Sequence, residues 1–342
     1  NLGNKKDKDG EEIVFGVFDK DNFLKDNEDG TFTIIEKEKQ PDGTWSNTGK
    51  ETIISGNNIG KETNVFISDL EWRFIDGLGE EIKQKHEKVH CKGIEENLIG
   101  EEGFEVFVVN ENTKLGELVW VAPNNVSKIK TKIFGKGFTP NNICTSNVVS
   151  MRQLFYNQEY FNLPLDRWDV SNVTNMSWMF YAANNFNQSL NDWDVSNVTD
   201  MSYMLRFATN FNKALNDWDV SNVTNMTKMF ANMKEFNLAL NNWDVSNVID
   251  MDGMFYGASN FNQPLDKWNV SQVKTMAEMF GNAKAFNEAL NDWSVSNVTS
   301  MGGMFYGAEV FNQPINDWDV SKVIKMNGMF KSATNFDQPL DK

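Results

Sequence analysis

One tryptophan recurs every 25 residues through the second half of the chain, and this period limits the possible folds more than any other feature. The tryptophans stand at Trp168, Trp193, Trp218, Trp243, Trp268, Trp293 and Trp318. Two valine columns and two methionine columns keep the same phase, and no copy contains an insertion. A fixed period of this kind is typical of an array in which each repeat stacks on the next to bury its apolar face.

Within one repeat, the pattern predicts a short strand, a bend, a short helix and a turn back. Trp193 and Val195 alternate around Asp194, as in a strand whose aspartate points outward. Four side chains take the i, i+3, i+4, i+7 spacing of a helix face, namely Met176, Met179, Phe180 and Ala183. The predicted fold class is therefore an α/β repeat solenoid, leucine-rich-repeat-like with 25-residue coils, preceded by a mostly β N-terminal domain.

The repeated residue types also predict how each coil is filled. Tryptophan and the two methionine columns are expected to point inward, because large apolar side chains fill wide coil interiors. An asparagine follows a phenylalanine in each copy, from Asn162 to Asn312. We expect this buried asparagine to bond turn backbone and the next coil.

The first third of the chain lacks the 25-residue phase. Runs such as "TFTIIEKEK", "NVFISDLEWRFI" and "FEVFVV", separated by the turn signals "EDG" and "QPDG", predict a mostly antiparallel β domain over residues 11–126. The run "EEIKQKHEKVH" has a helical pattern. Residues 1–10 are predicted to be flexible, and residues 127–143 to bridge the domains as a cap strand over the first coil. About eight repeats then fill residues 144–342.

Composition excludes several classes of partner. The formal net charge of −16 argues against nucleic acid, which needs a cationic surface. No run of 18 apolar residues occurs, so no membrane span is predicted. The two cysteines, Cys91 and Cys144, are too few for a disulfide framework, although they can pair.

Candidate catalytic and metal sites are weak. Residues 25–36 have the outline of a calcium loop, but Lys25 stands where the first carboxylate belongs, and a hairpin turn is favoured. His86, His90 and Cys91 are too few for a zinc site. No glycine-rich phosphate loop or nucleophile motif is present, so we predict a non-enzyme without catalytic residues, metal or cofactor.

An acidic stripe is the first candidate for a binding face. Its eight members flank the tryptophans, at Asp192, Asp194, Asp217, Asp219, Asp244, Asp292, Asp317 and Asp319. Like charges in register repel each other. They serve either solubility and hydrogen bonding at the coil bend, or a site for cations or a basic partner. The variable tyrosines form an alternative face, at Tyr181, Tyr256 and Tyr306.

Whole repeats carry a family resemblance. The segments "FNQPLDKWNVSQVKTMAEMF" and "FNQSLNDWDVSNVTDMSYML" resemble the BspA-like repeats of bacterial surface lipoproteins, which are abundant in mollicutes, over about residues 144–342. The resemblance implies a leucine-rich-repeat-like solenoid at the cell surface. It further implies adhesion through host, cell-surface or matrix proteins, and it supplies no catalytic residues.

Two functions remain open. The chain is expected to be a non-enzymatic extracellular surface protein whose solenoid is an adhesion and protein-binding module. The alternative is a structural fibre or coat component, on a cell surface or virion, in which the solenoid is a spacer. No polar capping unit follows the last coil, at "FDQPLDK". We therefore expect apolar surface there, with the chain continuing or another copy or chain covering it.

Overall fold

The structure is a computed structural model that describes residues 5–6, 12–13, 22–26, 31–39, 45–55, 104–109, 116–134 and 140–340. The chain divides into two compact units. The first comprises Asn1–Val148 with Arg167–Asp169, and the second comprises Val149–Asp166 with Val170–Lys342. Nearly all of the repeated sequence therefore lies in the second unit.

Two antiparallel sheets occur among the described residues near the start of the first unit. Strand β1 (Lys5–Lys6) pairs with β2 (Glu12–Ile13). Strands β3 (Asn22–Asp26), β4 (Thr31–Lys39) and β5 (Trp45–Ser55) form a sheet in that order. The run "TFTIIEKEK" forms β4, as predicted.

The predicted hairpin at residues 25–36 is confirmed. Asp26 pairs with Phe32 in antiparallel register, so strands lie on both sides of residues 27–30. A calcium loop of the EF-hand type is flanked by helices instead. The run "NVFISDLEWRFI", the run "EEIKQKHEKVH", and the residues His86, His90 and Cys91 lie outside the described residues.

A third sheet leads to the start of the repeats. Strand β6 (Phe104–Val109), which was predicted, pairs with β7 (Gly116–Val121) in antiparallel register. Strand β7 also pairs in parallel with the short β8 (Ile143–Cys144). The chain between β7 and β8 contains helix α1 (Val126–Phe134) and a 3-10 turn (Pro140–Asn142).

The prediction of a strand in the bridging segment is wrong for its first part, which is helix α1. Asn125 Oδ1 accepts hydrogen bonds from the backbone N–H groups of Ser127 (3.1 Å) and Lys128 (3.2 Å), which caps the helix. Ile129 and Ile133, four residues apart, are its buried side chains. The alternating lysines indicated a strand, with a period of two. The cap by Asn125 and the four-residue spacing of the buried isoleucines favour a helix instead.

In the second unit, each repeat pairs with the next through a single parallel bridge. The bridges join Ser150 to Asn175, Asn175 to Asp200, Asp200 to Asn225, Asn225 to Asp250, Asp250 to Thr275, Thr275 to Ser300, and Ser300 to Lys325. Every pair is 25 residues apart, so the period of the sequence is also the period of the backbone pairing.

Beyond each bridge, alternate backbone N–H groups continue the pairing. Met176 N donates to the carbonyl of Asp200, and Trp178 N to that of Ser202, both at 2.9 Å. The N–H groups between them close turns within the repeat, as Met179 N does with the carbonyl of Met176 at 3.1 Å. In this segment, alternate N–H groups therefore bond to the next repeat, and the N–H groups between them bond within their own repeat.

The predicted helix within each repeat is wrong, because residues 177–182 form successive turns. Trp178 and Ala182 have φ values of 62° and 55°, in the left-handed region that a right-handed helix excludes. Turns closed over three residues bring Met176, Met179 and Ala183 to the same side and so imitate helical spacing. The predicted strand at Trp193–Val195 is likewise irregular chain, because the parallel bridge of this repeat lies at Asp200 and not at these residues.

The apolar columns of the repeats form the core of the second unit. From Trp193 to Trp318 every column tryptophan is buried, and both methionine columns are fully buried up to Met304. The inward assignment of tryptophan and methionine is therefore confirmed for these copies. In the last repeat, Ile324 (83% exposed) and Met326 (42%) are open to solvent, in line with the expectation for that coil.

Among the described residues, no helix combines the length and the apolar composition that crossing a bilayer requires.

Candidate functional site

Two hydrogen-bond ladders fix the backbone from which the surface side chains project. From Trp193 onward, each indole N–H donates to the carbonyl 28 residues earlier, as Trp243 does to Leu215 at 2.8 Å. Asn162 Oδ1 accepts from the backbone N–H of Asn187 at 2.9 Å. Corresponding bonds recur along the column, so the predicted asparagine ladder is confirmed, although its members are exposed or half-buried instead of buried.

The acidic stripe consists of two columns, one on each side of the buried tryptophans. The first column precedes the tryptophans and contains Asp192, Asp217, Asp292 and Asp317. The second follows them and contains Asp194, Asp219, Asp244 and Asp319. All eight side chains are exposed, so the structure places the predicted residues on the surface.

The second acidic column caps the bend that follows each tryptophan. Asp219 Oδ1 accepts the backbone N–H of Ser221 at 3.0 Å, and the other three aspartates make the same bond. Hydrogen bonds from the hydroxyl and backbone N–H of Ser246 lower the pKa of Asp244. Equivalent bonds from Ser321 lower the pKa of Asp319. This column therefore has a structural role at the bend.

Two members of the first acidic column accept hydrogen bonds from side-chain amides of the preceding repeat. Asp217 Oδ2 accepts from Asn191 Nδ2 at 2.5 Å, and Asp317 Oδ2 from Asn291 Nδ2 at 2.7 Å. Amide donors offset part of the repulsion expected of carboxylates in register. Within the described ranges, no three His, Cys, Asp or Glu side chains are grouped as metal ligands would be.

One further carboxyl group has an unusual environment. Asp252 Oδ1 accepts hydrogen bonds from the Thr275 hydroxyl and, at 2.7 Å, from Ala277 N. Burial raises the pKa of Asp252, and the nearby charge of Asp250 acts in the same direction. Lys228 and the two hydrogen bonds oppose this effect without cancelling it.

Side chains vary widely in two columns that lie three residues apart on the turns. The first surface column contains Gln153, Trp178, Tyr203, Lys228, Gly253, Glu278, Gly303 and Gly328. The second contains Tyr156, Tyr181, Arg206, Ala231, Tyr256, Gly281, Tyr306 and Lys331. The three tyrosines of the predicted alternative face belong to the second column.

At the first repeats, these columns form a cluster that we call the aromatic–arginine patch. It consists of half-buried residues from three successive repeats, namely Tyr156, Trp178, Tyr181, Tyr203, Arg206 and Phe207. Trp178 stacks on Tyr203, with ring centroids 4.1 Å apart. Tyr156 stacks on Tyr181 at 5.0 Å, and Trp178 meets Tyr181 at 4.9 Å. The rings therefore form one continuous surface.

Arg206 lies among these rings. Its guanidinium carbon is 5.8 Å from the ring centroid of Tyr181, 5.6 Å from that of Tyr203 and 4.9 Å from that of Phe207. Its Nε is buried and has no hydrogen-bond partner among the described residues. The patch is thus a cation held by aromatic faces.

The later tyrosines are not brought together. Tyr256 lies over Gly281, where an added Cβ would be 2.8 Å from its ring, and Tyr306 lies under Lys331 Nζ at 5.8 Å. In the part of the chain that the structure describes, no ring contact joins these two tyrosines. Of the predicted alternative face, only Tyr181 belongs to a cluster.

Sequence reasoning missed the patch, although it named one of its members, Tyr181, as variable. The signal was present in the sequence. Trp178 and Tyr203 are one period apart, Tyr181 and Arg206 are one period apart, and the two pairs are offset by three residues.

The chain also matches a protein family. The family model described as "Mycoplasma protein of unknown function, DUF285" matches residues 125–242 and again residues 225–342. The second match begins 100 residues after the first, which is four periods of 25 residues. No curated protein and no solved structure matches the chain.

Proposed function

The chain belongs to the family described as Mycoplasma protein of unknown function, DUF285, and we propose that its repeats form a non-enzymatic adhesion and protein-binding module at the cell surface. The repeats are proposed to be a BspA-like solenoid, leucine-rich-repeat-like in its coil-by-coil stacking but with turns in place of helices. The repeated sequence segments quoted above support this finer assignment.

The contrast between a constant backbone and variable surface columns carries the proposal. The bridges, the tryptophan bonds and the asparagine ladder repeat along the array. On the same turns, Trp178, Lys228 and Glu278 occupy equivalent positions. Stacking tolerates aromatic, cationic, anionic and glycine residues there, so these columns are available for recognition. Repeat proteins commonly bind partners through such extended faces.

An extracellular location is part of the proposal. Cys144 is disulfide-bonded and fully buried, and Cys91 is the only other cysteine of the chain. Disulfide bonds persist in oxidising, mostly extracellular, environments. This observation supports placement outside the reducing cytosol, as the resemblance to surface lipoproteins also does.

Binding of the full chain to immobilised matrix proteins and to host cells tests the proposed function. The sharpest variant for the acidic columns changes Asp194, Asp219 and Asp319 together to Asn. Asn269 already accepts the equivalent bond from Ser271 N at 3.2 Å, so asparagine removes charge while keeping the bend.

Three outcomes separate the candidates. Binding that weakens with salt and with the triple change assigns contact to the acidic columns, because exposed charge pairs are screened. Binding indifferent to both leaves adhesion standing and directs attention to the surface columns. Retention of no surface or matrix protein, with self-association of the chain, refutes adhesion in favour of the structural fibre or coat role.

A further inference from the structure

The aromatic–arginine patch has features that stacking of the repeats does not require. The array supplies its own comparison, because equivalent positions recur in later repeats. There, Gly253 and Gly303 stand in place of Trp178 and Tyr203, and Ala231 stands in place of Arg206. The inter-repeat backbone bonds continue through those positions, as from Gly253 N to the carbonyl of Ala277 at 2.7 Å.

Backbone geometry makes the aromatic residues costly at these positions. Trp178 has φ 62° and Tyr203 has φ 59°, in the left-handed region that bulky side chains avoid. Glycine adopts this conformation without a side-chain clash and does so at Gly253, Gly303 and Gly328. The left-handed backbone recurs in every copy of this column, so what distinguishes the patch is the bulky aromatic side chain that stands where glycine is sufficient in later copies.

Charge provides the second argument. Arg206 has no ion pair among the described residues, although the chain carries a net charge of −16. In the same columns of later repeats, Lys228 pairs with Glu278 at 3.8 Å. The guanidinium of Arg206 instead lies against three rings and leaves Nε without a partner.

From these observations we infer that the aromatic–arginine patch is a docking site for an acidic protein segment, in which an Asp or Glu carboxylate pairs with Arg206 and a neighbouring apolar side chain packs on the rings. This inference rests on the proposed function and names the partner's chemistry. Trp, Tyr and Arg are the residue types that dominate binding energy in protein interfaces. Carboxylates form strong, directional pairs with guanidinium.

Ring geometry favours a protein segment over an acidic sugar. The interplanar angle is 11° between Trp178 and Tyr203, and 15° between Tyr156 and Tyr181, so the rings of each pair cover one another's faces. A sugar ring that stacks on an aromatic side chain needs an open face. The ring edges and the faces not covered within a pair suit an apolar side chain, which can pack on either.

Selection of short random peptides displayed on phage, with the full chain as the target, provides the test. Enriched peptides are expected to carry Asp or Glu beside an apolar residue. Replacing that acid with its amide, or changing Arg206→Ala or Trp178→Gly, is expected to weaken binding about tenfold or more. Arg206→Lys introduces the residue type found at the equivalent position 331. This variant is expected to bind the peptides more tightly than Arg206→Ala and less tightly than wild type.

The matched controls come from the same columns. Tyr256→Ala and Lys228→Gly are expected to leave binding within about twofold, because neither residue belongs to the patch. Arg206→Ala and Trp178→Gly each remove a group of the patch. Every substitution, including the controls, inserts a residue type that another repeat carries at the equivalent position. Unchanged thermal unfolding of these variants then excludes misfolding as the cause.

A direct readout is the Nε–Hε signal of Arg206 in NMR spectra, since the chain contains only four arginines. This signal is expected to shift when a selected acidic peptide is added, and the amide version should leave it in place. Enrichment of no peptide, enrichment of peptides lacking an acid, or indifference to Arg206→Ala overturns the inference. Arg206-dependent binding of sialyllactose without any peptide binding overturns it in favour of an acidic sugar.

Failure here and failure of the proposed function are distinguishable. If the chain binds matrix proteins or cells while patch variants bind equally well, the patch inference fails alone. If selected peptides bind through Arg206 while no surface or matrix protein is retained, adhesion fails and the patch remains a docking site.

Discussion

Left-handed backbone belongs to positions in this array and not to particular residue types. Every member of the first surface column from Gln153 to Gly328 has a positive φ, and so does the residue four places later in each copy. The occupants range from glycine to tryptophan, but none is β-branched, as the sterics of this region require. This rule explains why several copies have glycine at these positions.

Adjacent glycines allow a matched test of this rule. Gly303 has φ 63°, whereas Gly302 lies outside the left-handed region and corresponds to Ala277 of the preceding repeat. Gly303→Ala is expected to lower the free energy of unfolding by about 1 kcal/mol through backbone strain. Gly302→Ala is expected to be nearly neutral, because alanine reduces the entropy of the unfolded chain and its Cβ, 3.1 Å from Asn327 Oδ1, meets only the end of an exposed side chain that can move. Equal losses in urea melts would refute the positional argument.

The half-buried carboxyl group of Asp252 gives a prediction about how the stability of the protein depends on pH. Because its pKa is raised in the folded protein, the protonated form favours folding below the ordinary value of 3.8, and that contribution is lost as pH rises through the raised pKa. Asp252→Asn keeps the acceptor for Thr275 and Ala277 and matches Asn327 of the last repeat. The variant should therefore be more stable than wild type at neutral pH.

The advantage of Asp252→Asn should shrink towards zero at acid pH, where wild-type Asp252 is protonated. Thermal unfolding across a pH series measures it. Asp244→Asn is the control with the opposite sign, since the pKa of Asp244 is lowered and ionisation there favours folding. An advantage for Asp252→Asn that grows as pH falls would contradict the assigned cause.

At the scale of the element, the single repeat is built from turns that bond to their neighbours. Spacing alone could not distinguish this arrangement from a helix, because Met176, Met179 and Ala183 face inward in either case. What could be predicted was the set of inward residues, since burial follows directly from apolar repetition. What could not be predicted was the backbone path, because nothing in one repeat indicates that alternate N–H groups bond to the next.

The same reasoning explains the outcome for the candidate faces. Exposure of all eight aspartates was predictable from their places beside tryptophan. Their hydrogen bonds to serine and asparagine depend on the bend and on neighbouring repeats, as in the bond from Asn191 to Asp217. The aromatic–arginine patch requires three repeats to be in register, so it appears only once stacking is known.

The central tryptophan tests how much one repeat depends on its core. Trp243 is 2% exposed, and it stacks on Trp218 with centroids 6.3 Å apart. Trp243→Ala is expected to cost about 3–5 kcal/mol, as truncation of large aromatic core residues does. Trp243→Phe keeps a ring but leaves the carbonyl of Leu215 without its indole donor, so a smaller loss of about 1–3 kcal/mol is expected. A loss below about 1 kcal/mol for alanine would contradict the core role.

At the scale of the whole molecule, two compact units are stabilised in different ways. The repeat unit is a series of near-identical neighbours joined by bridges, so its stability is expected to be a sum of local terms and nearest-neighbour terms. The first unit contains small sheets and the disulfide of Cys144. The period of the sequence distinguished these regions, because the repeat phase is absent from residues 11–126.

Reduction of the disulfide should therefore affect the two units unequally. Cys144 and Cys91 are 53 positions apart, so a link between them restricts the unfolded chain and is expected to stabilise the first unit by about 3–4 kcal/mol. Under non-reducing conditions the denatured chain should contain no free thiol.

After reduction, hydrogen exchange should accelerate at the amides of β7 and β8. The amides around Met226 and Met251 should keep their protection, since those repeats are stabilised by their neighbours. Two reactive thiols in the untreated denatured chain would contradict the disulfide, and equal loss of protection in both regions would show that the units unfold as one.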